Sequence, residues 1–469
     1  MSQDLKRTLS LTDAVSIVAG SMIGCGIFIV SADIARQVNS GLLLIVIWMI
    51  AGFITLCGGL SLCELAANIT EEGGQYGVKV TEIIEPATIG QYVYLKKIFS
   101  EKIAFLYGWT LFLVIQTGTI AAVCVAFAKF FGLIVPFISS SNILFNLGCI
   151  HFSTQQLFAV LTVIFLSYLN SRGIKYGVVT QNIFTVTKVI SMAAIVIIGL
   201  LFGFNAHILQ ANMHMSFNFS FQTINIMAVA IVGALFASIT WNNITFIAGE
   251  VKHPQKNIPK ALMYGVALVV SLYLLMNMIY LGVLPLSEIQ TAPQDIVAAR
   301  TISEIFGTIG KDIIAVIIMI SAFGCANGMI LTGSRVYYKM AKDRAFFRPL
   351  ALINRKTKVP VNSLWAQCIW ICILILWGNY SELLDFVIYA SLLFYILVTA
   401  GIFVYRKKFP HANKKFRINS FFPITFLVLA SYIVICLSVY KPLYTIPGLL
   451  ITLAGIPVFH IWQRANKNN

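Results

Sequence analysis

Long apolar runs recur from residue 12 to residue 463, and that single property restricts the chain more than any other. In hydrocarbon every backbone N–H and C=O must be paired internally, which a helix of about 20 residues does by itself. Charged residues make up only 11% of the 469, against about 25% in a soluble domain. The fold class expected is an all-α polytopic membrane protein. Twelve spans are read, at about 12–36, 41–66, 103–131, 156–169, 177–203, 222–248, 261–284, 310–338, 361–378, 383–405, 421–440 and 444–463. The first run has no small-residue cleavage site and outlasts an h-region, so no cleavable signal is expected.

The net charge of +16 follows from topology. With the N-terminus inside, almost all of the 33 Lys and Arg fall in cytoplasmic segments, including Lys96, Lys97, Lys102, Arg335, Lys339, Lys342 and Arg406. Only Arg36, Arg300, Lys311 and Lys441 lie outside. This is the positive-inside pattern with both termini cytoplasmic, in a cell membrane, and it needs no nucleic-acid partner. The nine cysteines form no CxxC pair or His/Cys cluster, and no metal or cofactor is expected. They read as small buried hydrophobes, with Cys149 the candidate for a bridge to another chain. A second copy of the chain and a single-span partner both stay open.

Within this apolar background the stretch "IVAGSMIGCGIFIV" at 17–30 places Gly20, Gly24 and Gly26 inside one span. Each glycine costs about 1 kcal/mol relative to alanine in a helix interior. The sixth span, "IVGALFASITWNNITFIAGE" at 231–250, crowds Ser238, Thr240, Asn242, Asn243 and Thr245 onto one apolar helix. Small residues can form a packing face, and polar ones can bond neighbouring helices. The two spans are, however, the first members of two successive sets of five. Interrupted helices at corresponding positions of two halves point to a transporter's binding site. An odd repeat also inverts the second half, which predicts a five-plus-five inverted repeat with discontinuous helices 1 and 6. Residues 12–203 form the first half, 221–405 the second, and 421–463 two added spans.

A break exposes N–H groups at the positive end of one half-helix and C=O groups at the negative end of the other. Together they can hold the carboxylate and ammonium of an α-amino acid without a buried charged side chain. Gly24, Cys25 and Gly26 would let backbone N–H groups approach the carboxylate, and carbonyls around 17–21 and 236–239 would take the ammonium.

"GSMIGCGIF" at 20–28 resembles the first-helix glycine motif of the amino acid–polyamine–organocation transporters, and among them the L-type amino acid transporter family. "LFASITWNNITFIAGEVKHPQKNIPKAL" at 235–262 is similar to that family's sixth helix and following loop, "FGCANGMILTGSRVYYKMAKD" at 323–343 to its eighth, and "FLYGWT" at 105–110 to its third. The resemblance implies alternating access. It implies that Ser21, Met22, Cys25 and Gly26 line a carboxylate site, and that Phe236 covers the substrate with Ile239 and Asn242 beside it. Two departures stand out. Ser238, Ile239 and Thr240 replace a tyrosine and two glycines, and residues 75–90 look inserted into a cytoplasmic loop.

Lys188 lies in the fifth span, about 16 Å from Gly177 at 1.5 Å per residue. That is deep for a snorkelling side chain, and an intramembrane ammonium is a functional candidate by default. The resemblance places it where sodium sits in sodium-driven relatives, which implies sodium-independent transport. No Asp or Glu falls in the middle of spans 1, 3, 6, 8 or 10, so a neutral substrate is expected rather than a cationic amino acid or polyamine. Asn327, on a small-residue face of the eighth span, suits either site lining or helix packing. No paired intramembrane acids, HExxH or serine with a base suggest an enzyme, and no repeated filter suggests a channel. A sensor built on a transporter fold remains the alternative.

Overall fold

The computed structural model describes residues 7–69, 90–147, 150–213, 220–307, 309–377, 380–410 and 416–467. Of the segment 75–90, only Gly90 is among them, and Cys149 is not. In chain order the helices are α1 Leu11–Met22, α2 Gly26–Val38, α3 Gly41–Asn68, α4 Gly90–Ile98, α5 Glu101–Thr110 and α6 Gln116–Ile134. A hairpin of β1 Ile143–Leu147 and β2 Ile150–Ser153 follows. Then come α7 Thr154–Ser171, α8 Ile174–Ile198, α9 Ala206–Met213, α10 Phe221–Ser238, α11 Asn243–Phe246, α12 Pro254–Val283, α13 Leu286–Gln290, α14 Val297–Phe306 and α15 Ile309–Lys342. The chain finishes with α16 Val361–Trp377, α17 Tyr380–Lys408, α18 Phe421–Tyr440 and α19 Pro442–Lys467.

Among the described residues, nine helices are long and apolar enough to cross a membrane, or ten if the bent pair α1–α2 counts as one span. Another apolar helix, Val361–Leu376, is shorter. Helix α8 shows why these elements belong in lipid. Its outward residues Tyr176, Val179, Ile183, Val186, Ile190 and Ile197 are large, apolar and exposed, while Gln181, Thr185, Lys188 and Met192 are buried. The spacing is that of two opposite helix faces, with the usual polarity of a soluble helix reversed. A stripe like this is stable only against hydrocarbon, so the chain is a multi-pass membrane protein.

The helix starts follow local chemistry. Ser10 caps α1, its Oγ accepting from Asp13 N at 3.2 Å while Ser10 N donates to Asp13 Oδ2 at 2.8 Å, a capping box. Asp13 also accepts from Asn182 Nδ2 at 2.6 Å, which ties α1 to α8. Helix α3 packs along α12, α6 along α15, and α10 along α2, while α1 lies between α8, α12 and α15.

The end of the bundle that carries most Lys and Arg is closed by two ion pairs, one fully buried and one partly so. Arg335, counted from the sequence with the loop cations, is in fact fully buried, and its Nε donates to Glu250 Oε1 at 2.9 Å. The chain start locks over the same point: Thr8 N and Leu9 N donate to Glu250 O at 2.9 and 3.0 Å, and Lys252 N donates to Leu9 O at 2.8 Å. Arg406 grips Glu64 bidentately at 2.8 and 2.6 Å. Removing one member of a buried pair strands the other, at about 3–5 kcal/mol. Arg335→Ala is therefore expected to lower the thermal unfolding midpoint of the detergent-solubilised protein, and Arg335→Met paired with Glu250→Leu to recover much of the loss.

Candidate substrate site

The first span breaks where its glycines predict. Helix α1 ends at Met22, Ile23 turns to an extended conformation (ψ 93°), and α2 restarts at Gly26 with a 40° bend between the two axes. A helix end leaves its last carbonyls without intrahelical donors; here Ala19, Gly20 and Ser21 each have one, and Met22 shares a hydroxyl with Ala237. Ala19 O accepts from Ile23 N at 2.9 Å. Lys188 Nζ donates to Gly20 O at 2.5 Å, to Ile23 O at 2.7 Å and to Ser321 O at 3.4 Å. Cys325 Sγ donates to Ser21 O at 2.8 Å, and the Tyr273 hydroxyl lies 3.1 Å from Met22 O. Lys188 is wholly buried, and its positive charge rests on carbonyl oxygens at the negative end of α1.

The opposite lip is the start of α2. Cys25 provides no side-chain cap there, so the first N–H groups of α2 form a positive helix end suited to an anion. Gly26 is needed for close approach: a Cβ on it would lie 2.8 Å from Ala237 Cβ and 3.0 Å from Ala237 Cα. The two interrupted spans therefore touch backbone to backbone.

The second break runs through a series of short turns. Helix α10 ends at Ser238, a 3-10 turn covers Ile239–Asn242, α11 takes one turn, and a second 3-10 turn covers Ala248–Glu250. Ser238 Oγ donates within its own helix to Ala234 O at 3.0 Å and lies 3.2 Å from Thr55 Oγ1. Thr245 Oγ1 donates to Asn242 O at 2.8 Å. The freed Ile239 carbonyl accepts from the Tyr395 hydroxyl at 2.7 Å. The hydroxyl of Tyr273, already beside Met22 O, is 3.0 Å from Ala237 O. One hydroxyl thus stands between the two breaks, with a single proton to give.

Ser21, Met22, Gly24, Cys25 and Gly26 are all buried at the first break, and Phe236 is buried in the last turn of α10. Ile239 and Asn242 line a small cavity of about 10 Å³ with Tyr107, Gln116, Ser391 and Tyr395. Among the described residues no carboxylate borders it. A larger cavity of about 320 Å³ lies at the other end of α15 from Arg335, walled by Phe130, Ile296, Arg300, Lys311, Ile314 and Ile318. Asn327 sits among α7, α8 and α15, where its Nδ2 donates to Gly177 O at 3.1 Å and Gln181 Oε1 at 3.0 Å, and its Oδ1 accepts from Asn170 at 2.9 Å. That geometry uses its amide for helix packing. The carbonyls expected at 17–21 for an ammonium are narrowed in the same way, since Gly20 and Ser21 already have donors.

Sequence reasoning missed Tyr273, Tyr395 and the thiol of Cys325. It also missed the π-helical turn at Leu111–Ile115 that joins α5 to α6. A signal was available for the tyrosines, because a buried phenol seeks a partner for its hydroxyl.

Similarity to known proteins runs over nearly the whole chain. The chain is 27% identical to the human large neutral amino acids transporter small subunit 2 over 471 residues, covering 99% of this chain and 82% of that protein. It is 28% identical to the serine/threonine exchanger SteT of Bacillus subtilis (strain 168), covering 97% of each. It is 24% identical to the Asc-type amino acid transporter 1 of Mus musculus, covering 99% of this chain and 83% of that protein. These relatives are transporters, not enzymes. The model of the amino acid permease family matches residues 9–459, and the chain belongs to that family, within the amino acid–polyamine–organocation transporters.

Proposed function

We propose that this chain is a secondary active transporter of neutral L-amino acids that works by alternating access, as a sodium-independent exchanger. Its twelve spans form a five-plus-five inverted repeat in the cell membrane, with both termini cytoplasmic. One observation carries the reading: the Lys188 ammonium occupies the carbonyl cluster at the first break, 2.5 Å from Gly20 O and 2.7 Å from Ile23 O. A fixed cation there does what a bound metal ion would do for the same oxygens. The substrate carboxylate meets the start of α2 at Gly24–Gly26, and its ammonium meets carbonyls near the second break. Phe236 covers the site, and Ile239 and Asn242 contact the side chain. Neutral substrates are favoured because no carboxylate among the described residues lines the cavity, and a cationic side chain buried in the membrane calls for a partner. Exchange is favoured by the similarity to SteT, a serine/threonine exchanger.

In proteoliposomes loaded with an unlabelled amino acid, labelled neutral amino acids are expected to accumulate by counterflow. Lysine, arginine and diamines are expected to compete poorly. Replacing external sodium by choline is expected to leave the rate within about twofold. A rate that collapses without sodium would overturn the role given to Lys188.

A further inference from the structure

The cavity beside the second break is walled by polar groups with nothing to bond. Gln91 is 1% exposed, and neither its Nε2 nor its Oε1 has a hydrogen-bond partner among the described residues. The Tyr107 hydroxyl, from a side chain also 1% exposed, has none either. Burying an unpartnered polar group costs about 1–3 kcal/mol, so two such side chains facing one chamber need an explanation.

Their placement is built in. Gly90 begins α4 with φ +57°, and a Cβ there would fall 2.9 Å from Thr245 Oγ1 and against the Phe246 ring. The first turn of α4 is therefore seated hard against α11, which holds Gln91 over the chamber. Tyr107 comes from α5, next to the π-helical turn at Leu111–Ile115, a distortion frequent at functional sites. Four other polar side chains of the lining are engaged: Thr119 Oγ1 donates to Ile115 O at 2.5 Å and Ser391 Oγ to Val387 O at 2.6 Å. Tyr395 donates to Ile239 O, and Gln116 Nε2 donates to Asn243 Oδ1 at 3.2 Å and Met329 O at 3.0 Å.

The chamber measures about 10 Å³, roughly the room that one water molecule or one hydroxyl group takes. It shares Ile239 and Asn242 with the proposed substrate site. We infer that the chamber is a specificity pocket for a small side chain ending in a hydroxyl group, bonded by Gln91 and Tyr107. This rests on the transport reading above. A hydroxyl both donates and accepts, so it serves the amide nitrogen, the amide oxygen and the phenol. A methyl group of the same size serves none and leaves them stranded. A site built to bond a substrate hydroxyl rejects the analogue that lacks one.

Threonine and valine are nearly isosteric and separate this idea from a size filter. Purified protein in proteoliposomes would be tested for inhibition of labelled amino acid exchange by unlabelled threonine, valine, serine and alanine. In the unmodified protein threonine is expected to compete about 10-fold better than valine, and serine about 10-fold better than alanine. Gln91→Leu and, separately, Tyr107→Phe are expected to bring both ratios toward one. Should one variant not fold, the other, along with Gln91→Glu, supplies the same ratio. Equal competition by threonine and valine in the unmodified protein, or ratios untouched by the substitutions, would overturn the pocket while leaving neutral amino acid exchange standing. Absence of any amino acid exchange would overturn the transport reading itself.

Discussion

Lys188→Ala is expected to lower exchange at least 100-fold while leaving the protein in the membrane. The substitution leaves Gly20 O and Ile23 O, at 2.5 and 2.7 Å from the ammonium, without their donor in a buried place. An orphaned buried carbonyl costs about 1–3 kcal/mol, and two of them together account for a loss of that size. The conservative change Lys188→Arg should not restore transport. A Cβ placed on Gly324 would already lie 3.3 Å from Nζ and 2.7 Å from Phe184 Cβ, so the space around the ammonium is too narrow for a planar guanidinium. Counterflow normalised to protein recovered in the liposomes reads the effect. Activity close to that of the unmodified protein in Lys188→Ala would show that the α1 carbonyls need no fixed cation.

Gly26→Leu is expected to abolish exchange outright. The first added atom would meet Ala237 at 2.8 Å on Cβ and 3.0 Å on Cα, and Cα is backbone that cannot rotate aside. The two breaks would be pushed apart, and the amide end of α2 with them. A graded series distinguishes this from general damage. Gly26→Ala should be impaired but measurable, and Ala237→Gly introduced beside it should recover part of the rate, because one of the two close contacts is then gone. Coupling of this kind between touching residues is what a double-mutant cycle measures. Additive losses would mean that the two spans do not act through this contact.

Much of the site could be read from the chain because its cause is local. Three glycines within seven residues weaken a helix wherever it lies, and α1 stops at Met22 and α2 resumes at Gly26 as that weakness requires. Lys188 announced itself by charge in an apolar run. The lipid-facing stripe of α8 follows from periodicity. The donors to the break carbonyls were not legible in the same way. Tyr273 reaches Met22 across 251 positions and Cys325 reaches Ser21 across 304. No window of sequence contains such a pair, so only packing brings it together. The same holds for Arg335, which reads as one more basic residue of a loop until Glu250 is found beside it. Asn327 reads equally as lining or packing because an amide serves both, and its partners decide how it is used in this geometry. The polar crowd of the sixth span divides likewise: Ser238 and Thr245 repair their own backbone, Asn243 bonds Gln116, and Asn242 faces the chamber.

The ammonium that closes the first break has a bioenergetic consequence. A coupling ion does work because it is loaded on one side, released on the other and left behind. Lys188 is bonded to α8 and goes back with the carrier on every cycle, so as long as it keeps its proton it carries no net charge across and draws nothing from an ionic gradient. In the exchange proposed above, accumulation is then drawn from the amino acids themselves: the pool that is more concentrated on one side drives the other uphill, and the ratio of the two pools sets how far the uptake can go.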